Sequence, residues 1–494
     1  MTIRALSALF FLLYGILMPM TASDFIAGNL VASLAMIASS FVLAALLWSG
    51  RALLLNILIA FYVFRVYMTR PYINLFLPKL RGGQYAYICS LNSYYNPSDS
   101  SVVYLSLLSL LSAWLIGLYI AKPKPVVMGS PPWIFRQIDE IVTSASWPFW
   151  TAWILLTILN YKSPSDTWQG IATGESSTLF AFGLFSMATI NVVCLYVLLL
   201  SRQTRAKPAS IMLIAPILIS SVFRSAGGSR SAIFFAAIFA ATYWLFLNLN
   251  KRVSRGDLAK TIFIALLFPV ILFAGLFAQY LRPFLRSGTT NEAIWTMSVE
   301  GLDIFNPDNP IINSLYFGLT ELAHRLSSLK AQFLILNDHF IHPPWASYNP
   351  LQAFMRIIND LLPGDIFPNM LTINQLFDYI YSDSHVIYNS ESWSIQGTLY
   401  LYCGLWLSPI VVFFMSYLIR RNYQKLQTLA TASPSFAAFF ILLFNDILEN
   451  GTIERIVPVD IVRPMAGFVA FIFLVKIFQA LYPQRKKSPL SMTH

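Results

Sequence analysis

The sequence predicts an all-α, polytopic integral membrane protein of about twelve transmembrane helices with one large extracytoplasmic loop. Three observations predict it. Of 494 residues, 57% are hydrophobic and only 11% are charged, with a mean hydropathy of +0.62 and no hydrophilic half able to fold as a separate soluble domain. Apolar runs of roughly membrane length recur along the chain. Lys and Arg gather in every second connecting segment, which is the pattern that keeps short positive loops on the cytoplasmic side.

Arg4 precedes an apolar run over 5–20. A cleaved leader begins in the same way, but the run is read as an uncleaved first span because the remaining topology then closes. Further runs lie at 25–48, 53–67, 102–120, 141–159, 179–200, 210–222, 232–249, 262–280, 397–419, 436–448 and 466–481. The third, seventh and eleventh are short or broken. Three regions follow from this: 1–280 with spans one to nine, 281–396 as the outer loop, and 397–494 with spans ten to twelve and a basic tail.

Orientation comes from seven segments that fall on one side when the spans number about twelve. They hold Arg4; Arg51; Lys122, Lys124 and Arg136; Arg202, Arg205 and Lys207; Lys251, Arg252, Arg255 and Lys260; Arg420, Arg421 and Lys425; and Arg485, Lys486 and Lys487. Both termini are therefore expected in the cytoplasm. The net charge of +11 belongs largely to these loops and does not argue for nucleic acid. Three scattered cysteines, Cys89, Cys194 and Cys403, form neither a disulfide framework nor a thiolate metal site.

The loop 281–396 is too rich in aromatic and aliphatic residues for a linker, and a loop of that length is usually functional. Stretches 314–337 and 351–362 alternate apolar and polar faces at helical spacing, so surface helices are expected there. No internal repeat of the kind common in secondary transporters is present.

Candidate chemistry concentrates on the outer face. Arg224 and Arg230 flank Gly227 and Gly228 at an expected extracytoplasmic boundary, against the positive-inside bias. Two guanidinium forks at a glycine corner suit a pyrophosphate; ordinary topology-setting arginines are the plainer alternative. Arg282 and Arg286 open the large loop. Glu321, His324 and Arg325 lie within helical reach of one another, either as an oriented imidazole or as a solvated salt-bridged face. Asp383, His385 and Glu391 precede the tenth span, where a His or a carboxylate could take a proton from a sugar hydroxyl. The last outer loop adds Glu449, Glu454, Arg455, Asp460 and Arg463. Zinc-motif spacing, a P-loop and a dinucleotide fingerprint are all absent, so metal dependence and nucleotide or other cofactor binding have no support in the sequence.

The segments GSR (228–230), HRLSSLKA (324–331) and GTLYLYCGLW (397–406), set in a many-span chain with a large outer loop, resemble the bacterial Wzy-type oligosaccharide repeat-unit polymerases of O-antigen, capsule and exopolysaccharide synthesis. The resemblance covers about 220–406. Family members often carry Glu in an E-x-Y-x-x-F-G pattern; Thr398 stands in that place here, while Tyr400 and Gly404 are retained. The resemblance implies a fold like the GT-C membrane glycosyltransferases and a location in the bacterial inner membrane. It implies transfer of a growing glycan from undecaprenyl diphosphate to a lipid-linked repeat unit on the outer face. Implied partners are that lipid-linked oligosaccharide, membrane lipids, and a chain-length regulator and flippase of the same pathway. Arg224, Arg230, Arg282 and Arg286, with Arg325 and Tyr400, form the expected substrate-binding set. His324, then Glu391, then His385 are ranked as the base. A lipid-linked oligosaccharide flippase or exporter and a ligase-type glycosyltransferase are the competing readings.

Overall fold

A computed structural model describes residues 2–21, 30–68, 100–125, 130–144, 146–159, 187–204, 350–361, 367, 394–450 and 456–481. The seventh to ninth expected spans, the tail, and most of the large loop lie outside these residues. The described elements are α1 (Ile3–Thr21), α2 (Leu30–Ser49), α3 (Leu53–Val63) continued by a π-helical turn (Phe64–Met68), and α4 (Ser100–Ile120). Next come α5 (Trp133–Ser144), α6 (Trp147–Leu159), α7 (Met187–Thr204) and α8 (Pro350–Leu361). They end with α9 (Ser394–Ala432), α10 (Pro434–Asn450), a second π-helical turn (Ile456–Val462) and α11 (Arg463–Leu481). Among the described residues the regular structure is helical throughout. Four helices there are long and apolar enough to cross a membrane, or five if the bent pair α5 and α6 counts as one span.

The apolar runs become helices because lipid offers no hydrogen-bond partner, so each segment must satisfy its own backbone. Small residues then allow close packing, since van der Waals contact replaces the hydrophobic drive between helices in lipid. Gly15 of α1 faces Ser40 of α2, and a methyl group at position 15 would collide with the Ser40 side chain. Gly117 of α4 faces Ser416 and the Phe413 carbonyl of α9 in the same way. α1 packs on α2, α2 on α4, α4 on α9, and α9 on α10, while α7 meets α10 and α6 meets α11. Leu9, Leu13, Leu17, Phe41, Ile116, Phe414, Leu418 and Phe473 remain exposed on the outside of this bundle, where a bilayer would solvate them. Trp406 at 85% exposure has the same character.

One span differs from expectation. The run 141–159 is predicted as a single helix, but the chain bends by 109° between α5 and α6. Thr143 Oγ1 donates to Asp139 O (2.5 Å) and Ser144 Oγ to Ile141 O (2.7 Å). These hydroxyls occupy the last carbonyls of α5, and Pro148 supplies no amide hydrogen in the first turn of α6. α5 is amphipathic: Phe135, Ile138, Ile141 and Val142 are buried, and Arg136 and Glu140 are exposed. Its apolar face had merged with α6 in the linear pattern.

Asp139 also caps a distant helix, α10. Its carboxylate accepts from Ser435 N (2.9 Å) and Ser433 Oγ (2.5 Å), at the first turn of α10, where a negative charge meets free amides and the positive helix end. Ser433 Oγ in turn accepts from Phe436 N (3.2 Å), as an N-cap does. Burial holds the Asp139 carboxyl above its usual value, against these hydrogen bonds, which favour the charged form.

Candidate functional site

Chain direction gives the bundle two chemically different ends. α3 leaves, and α4 and α9 enter, at an end with buried neutral polar groups. α2 leaves, α3 enters, α4 leaves and α9 passes Arg420 at an end rich in cations.

At the polar end, Gln396 on the first turn of α9 joins three helices. Its Oε1 accepts from the Tyr67 hydroxyl, and its Nε2 donates to Val103 O (3.1 Å) and to Ser106 Oγ. Tyr104 donates its hydroxyl to Tyr67 O (3.1 Å), and the Tyr67 ring lies edge-on to Tyr62 and Tyr104. The π-helical turn at Phe64–Met68 widens the end of α3, as such turns often do near functional positions. Tyr400, one turn beyond Gln396, is 1% exposed. Its hydroxyl makes no hydrogen bond among the described residues, although the Ser106 and Ser109 side chains lie beside it. Thr398 is buried and turns its Oγ1 back to Ser394 O (3.1 Å). An apolar crevice with about 80 Å³ of free space runs inward from Tyr62, Tyr67 and Gln396 past Leu110, Trp114 and Phe444.

Gly404 interrupts α9 four residues after Tyr400, with φ 69° and ψ 178°. That region of backbone space belongs to glycine. The short piece carrying Gln396, Thr398 and Tyr400 is thereby set at its own angle to the remainder of the helix. Part of the large loop sits at this end too. α8, expected from its periodicity, packs on the π-helical turn Ile456–Val462, and Asn359 holds Phe367 through both amide atoms (2.8 and 2.9 Å). Glu449, Asp460 and Arg463 belong to the elements around that contact.

At the basic end, Arg51 Nη1 donates to Leu118 O (3.4 Å) and Tyr119 O (3.1 Å), with its guanidinium 3.9 Å above the Tyr119 ring. Lys124 N donates to Arg421 O (3.0 Å), and Arg4 Nη1 lies against Gly50. Tyr423 of α9 accepts from Leu54 N (3.0 Å), which fills one of the free amides where α3 begins.

Of the sequence-predicted site residues, Tyr400 is described and sits in the polar cluster. Arg224, Arg230, Arg282, Arg286, His324, Arg325, His385 and Glu391 lie outside the described residues. Tyr67, Tyr104, Ser106 and Gln396 were not singled out from sequence. The spacing of Gln396 and Tyr400, one helical turn apart, was the signal available. The cluster is built of buried phenols, hydroxyls and an amide that hydrogen-bond to one another and to the backbone.

Among the described residues these features define a bundle of apolar helices, several long enough to cross a membrane, with a neutral polar cluster at one end and cations at the other. Comparison with protein-family models, with curated proteins and with solved structures finds no match.

Proposed function

We propose that the chain is a repeat-unit polymerase of the inner membrane. It moves a growing glycan from undecaprenyl diphosphate to the sugar of an incoming lipid-linked repeat unit, without a metal ion. The observation that carries this reading is the placement of the GTLYLYCGLW segment: its Tyr400 lies in the buried polar cluster, at the end of the bundle remote from Arg51 and Arg420. With positive loops inside, that end is the outer one, where a lipid-linked sugar is presented. About twelve spans and two cytoplasmic termini complete the topology.

In this mechanism the anomeric carbon–phosphate oxygen bond breaks and a bond from that carbon to the acceptor hydroxyl oxygen forms. The diphosphate leaves with its electron pair, and fixed cations stabilise the charge that develops on it. Arg224, Arg230 and Arg282 hold the diphosphate, joined by Arg286 and Arg325. His324 takes the acceptor proton, its tautomer set by Glu321, with Glu391 and then His385 as the next choices. Tyr400 and its neighbours orient the sugar.

The test supplies lipid-linked repeat units to membranes or proteoliposomes holding the chain and resolves product length. Chains longer than the input are expected. Arg230→Ala should abolish them with insertion intact, and Arg230→Lys should be poor because the bidentate fork is lost. No elongation by the parent chain would sink the proposal, and full activity of Arg230→Ala would remove that arginine from the site.

A further inference from the structure

The basic end holds an arginine that the fold does not explain. Arg51 is accounted for: it closes the free carbonyls at the end of α4, where a cation is favoured by the helix dipole, and stacks on Tyr119. Arg420 has no such role. Its Nε is buried and makes no hydrogen bond among the described residues. Arg51 is a neighbouring like charge. Arg4 adds a third guanidinium beside Gly50, and Lys122, Lys124 and Arg421 follow at the ends of α4 and α9, where Lys124 N donates to Arg421 O. No carboxylate pairs with Arg4, Arg51 or Arg420 among the described residues. A buried donor without an acceptor, in a group of like charges, is costly. The arrangement needs an anion.

The position says which anion. The helices that converge here are apolar up to this level, and Leu418, two residues before Arg420, and Ile120, the last residue of α4, are exposed. Trp48 and Tyr119 are exposed beside them, as aromatic side chains are at the boundary between hydrocarbon and headgroups. We propose that Arg51, Arg420 and Arg4 form a binding site for the phosphate of an anionic phospholipid, seated where α2, α4 and α9 reach the membrane surface. Arg51 keeps its Nη2 and Nε free of hydrogen bonds among the described residues, and Arg420 keeps its Nε, so each has donors left for a phosphate. Basic pockets between transmembrane helices capture headgroups in this manner. The site stands apart from the glycosyltransferase proposal, since it requires only that the apolar helices cross a bilayer.

The test uses the full chain purified in a neutral detergent. Phosphatidylglycerol, phosphatidylcholine or inorganic phosphate is titrated in, with bound lipid counted by native mass spectrometry and thermal stability followed in parallel. Phosphatidylglycerol should bind and raise the transition temperature while phosphatidylcholine does not. Arg420→Gln should weaken phosphatidylglycerol binding about tenfold or more, the loss of a charge-assisted pair, and Lys425→Gln on the exposed continuation of α9 should leave it unchanged. Should Arg420→Gln not yield monodisperse protein, Arg4→Gln is measured in its place and should weaken binding several-fold. Equal binding of the two lipids, unchanged binding in the arginine variant, or full protection by inorganic phosphate alone would overturn the proposal.

Discussion

Asn56 offers the sharpest test of how the bundle is held together. It is 0% exposed within one of the most apolar segments of the chain, and every polar atom of its amide is used. Nδ2 donates to Leu46 O (3.1 Å) and Arg51 O (2.7 Å), and Oδ1 accepts from Trp114 Nε1 (3.0 Å). The amide thus ties the α2–α3 corner to α4. Asn56→Leu keeps the volume and removes three hydrogen bonds. At about 1 kcal/mol each in the interior of a soluble protein the loss is about 3 kcal/mol, and at the about 0.6 kcal/mol measured between membrane helices it is about 2 kcal/mol. The expected destabilisation is therefore about 2–3 kcal/mol. Trp114→Phe deletes one of the three bonds and should cost about 1 kcal/mol. The double variant should cost less than the sum, because the indole N–H orphaned by Asn56→Leu is no longer there. Equilibrium unfolding in mixed micelles, followed by far-UV circular dichroism, measures all four proteins. An Asn56→Leu protein within about 0.5 kcal/mol of the parent, or full additivity in the cycle, would refute the reasoning.

Three further outcomes follow from the packing. Gly117→Ala should destabilise by about 1–3 kcal/mol, because the new methyl collides with Ser416 and approaches the Phe413 carbonyl oxygen to 2.6 Å; adding Ser416→Ala should restore only part of the loss in a thermal-shift series, since the carbonyl stays. Gly404→Ala should cost about 1–3 kcal/mol for its backbone region alone, read by the same unfolding assay. Asp139→Ala should lose about 1–2 kcal/mol of cap energy, whereas Asp139→Asn keeps the acceptor for Ser435 N and should lie close to the parent. Because burial raises the folded-state value of this carboxyl above the usual 3.8, the stability it contributes when protonated is full below that pH and is lost as pH rises through the raised value. Stability against pH across this window should flatten in Asp139→Asn.

Much of the fold was legible because lipid imposes one strong rule on the backbone. The runs at 5–20, 25–48, 102–120, 436–448 and 466–481 correspond to α1, α2, α4, α10 and α11 within a few residues. The breaks were not legible. Hydropathy passed unbroken across Ser144–Ser146, where hydroxyls and a proline stop the backbone ladder, and it gave the tenth span an end at Ile419. The helix runs on to Ala432 because residues 420–432 are helix formers in water as well. The site was legible in one residue. Tyr400 stood out through the resemblance of its segment, but Tyr67 lies 329 residues from Gln396 and Ser106 lies 290 residues from it. Neither has a local pattern that announces the contact. Asn56 was equally silent, since its partners lie on α2, in the α2–α3 corner and on α4.

The break at Gly404 has a consequence for anyone comparing this segment with another chain. A regular helix advances by about 100° per residue, so faces can be assigned by counting, but only while the phase is continuous. At Gly404 the phase is reset. Tyr400 and Gln396 share a face with each other, and Ser408 and Val412 share one on the far side of the break, but no count of turns relates the first pair to the second. A substitution pattern laid on a single helical wheel across 394–419 would mix buried with lipid-facing positions, and would place Trp406, exposed to the bilayer, by a rule that stopped applying two residues earlier.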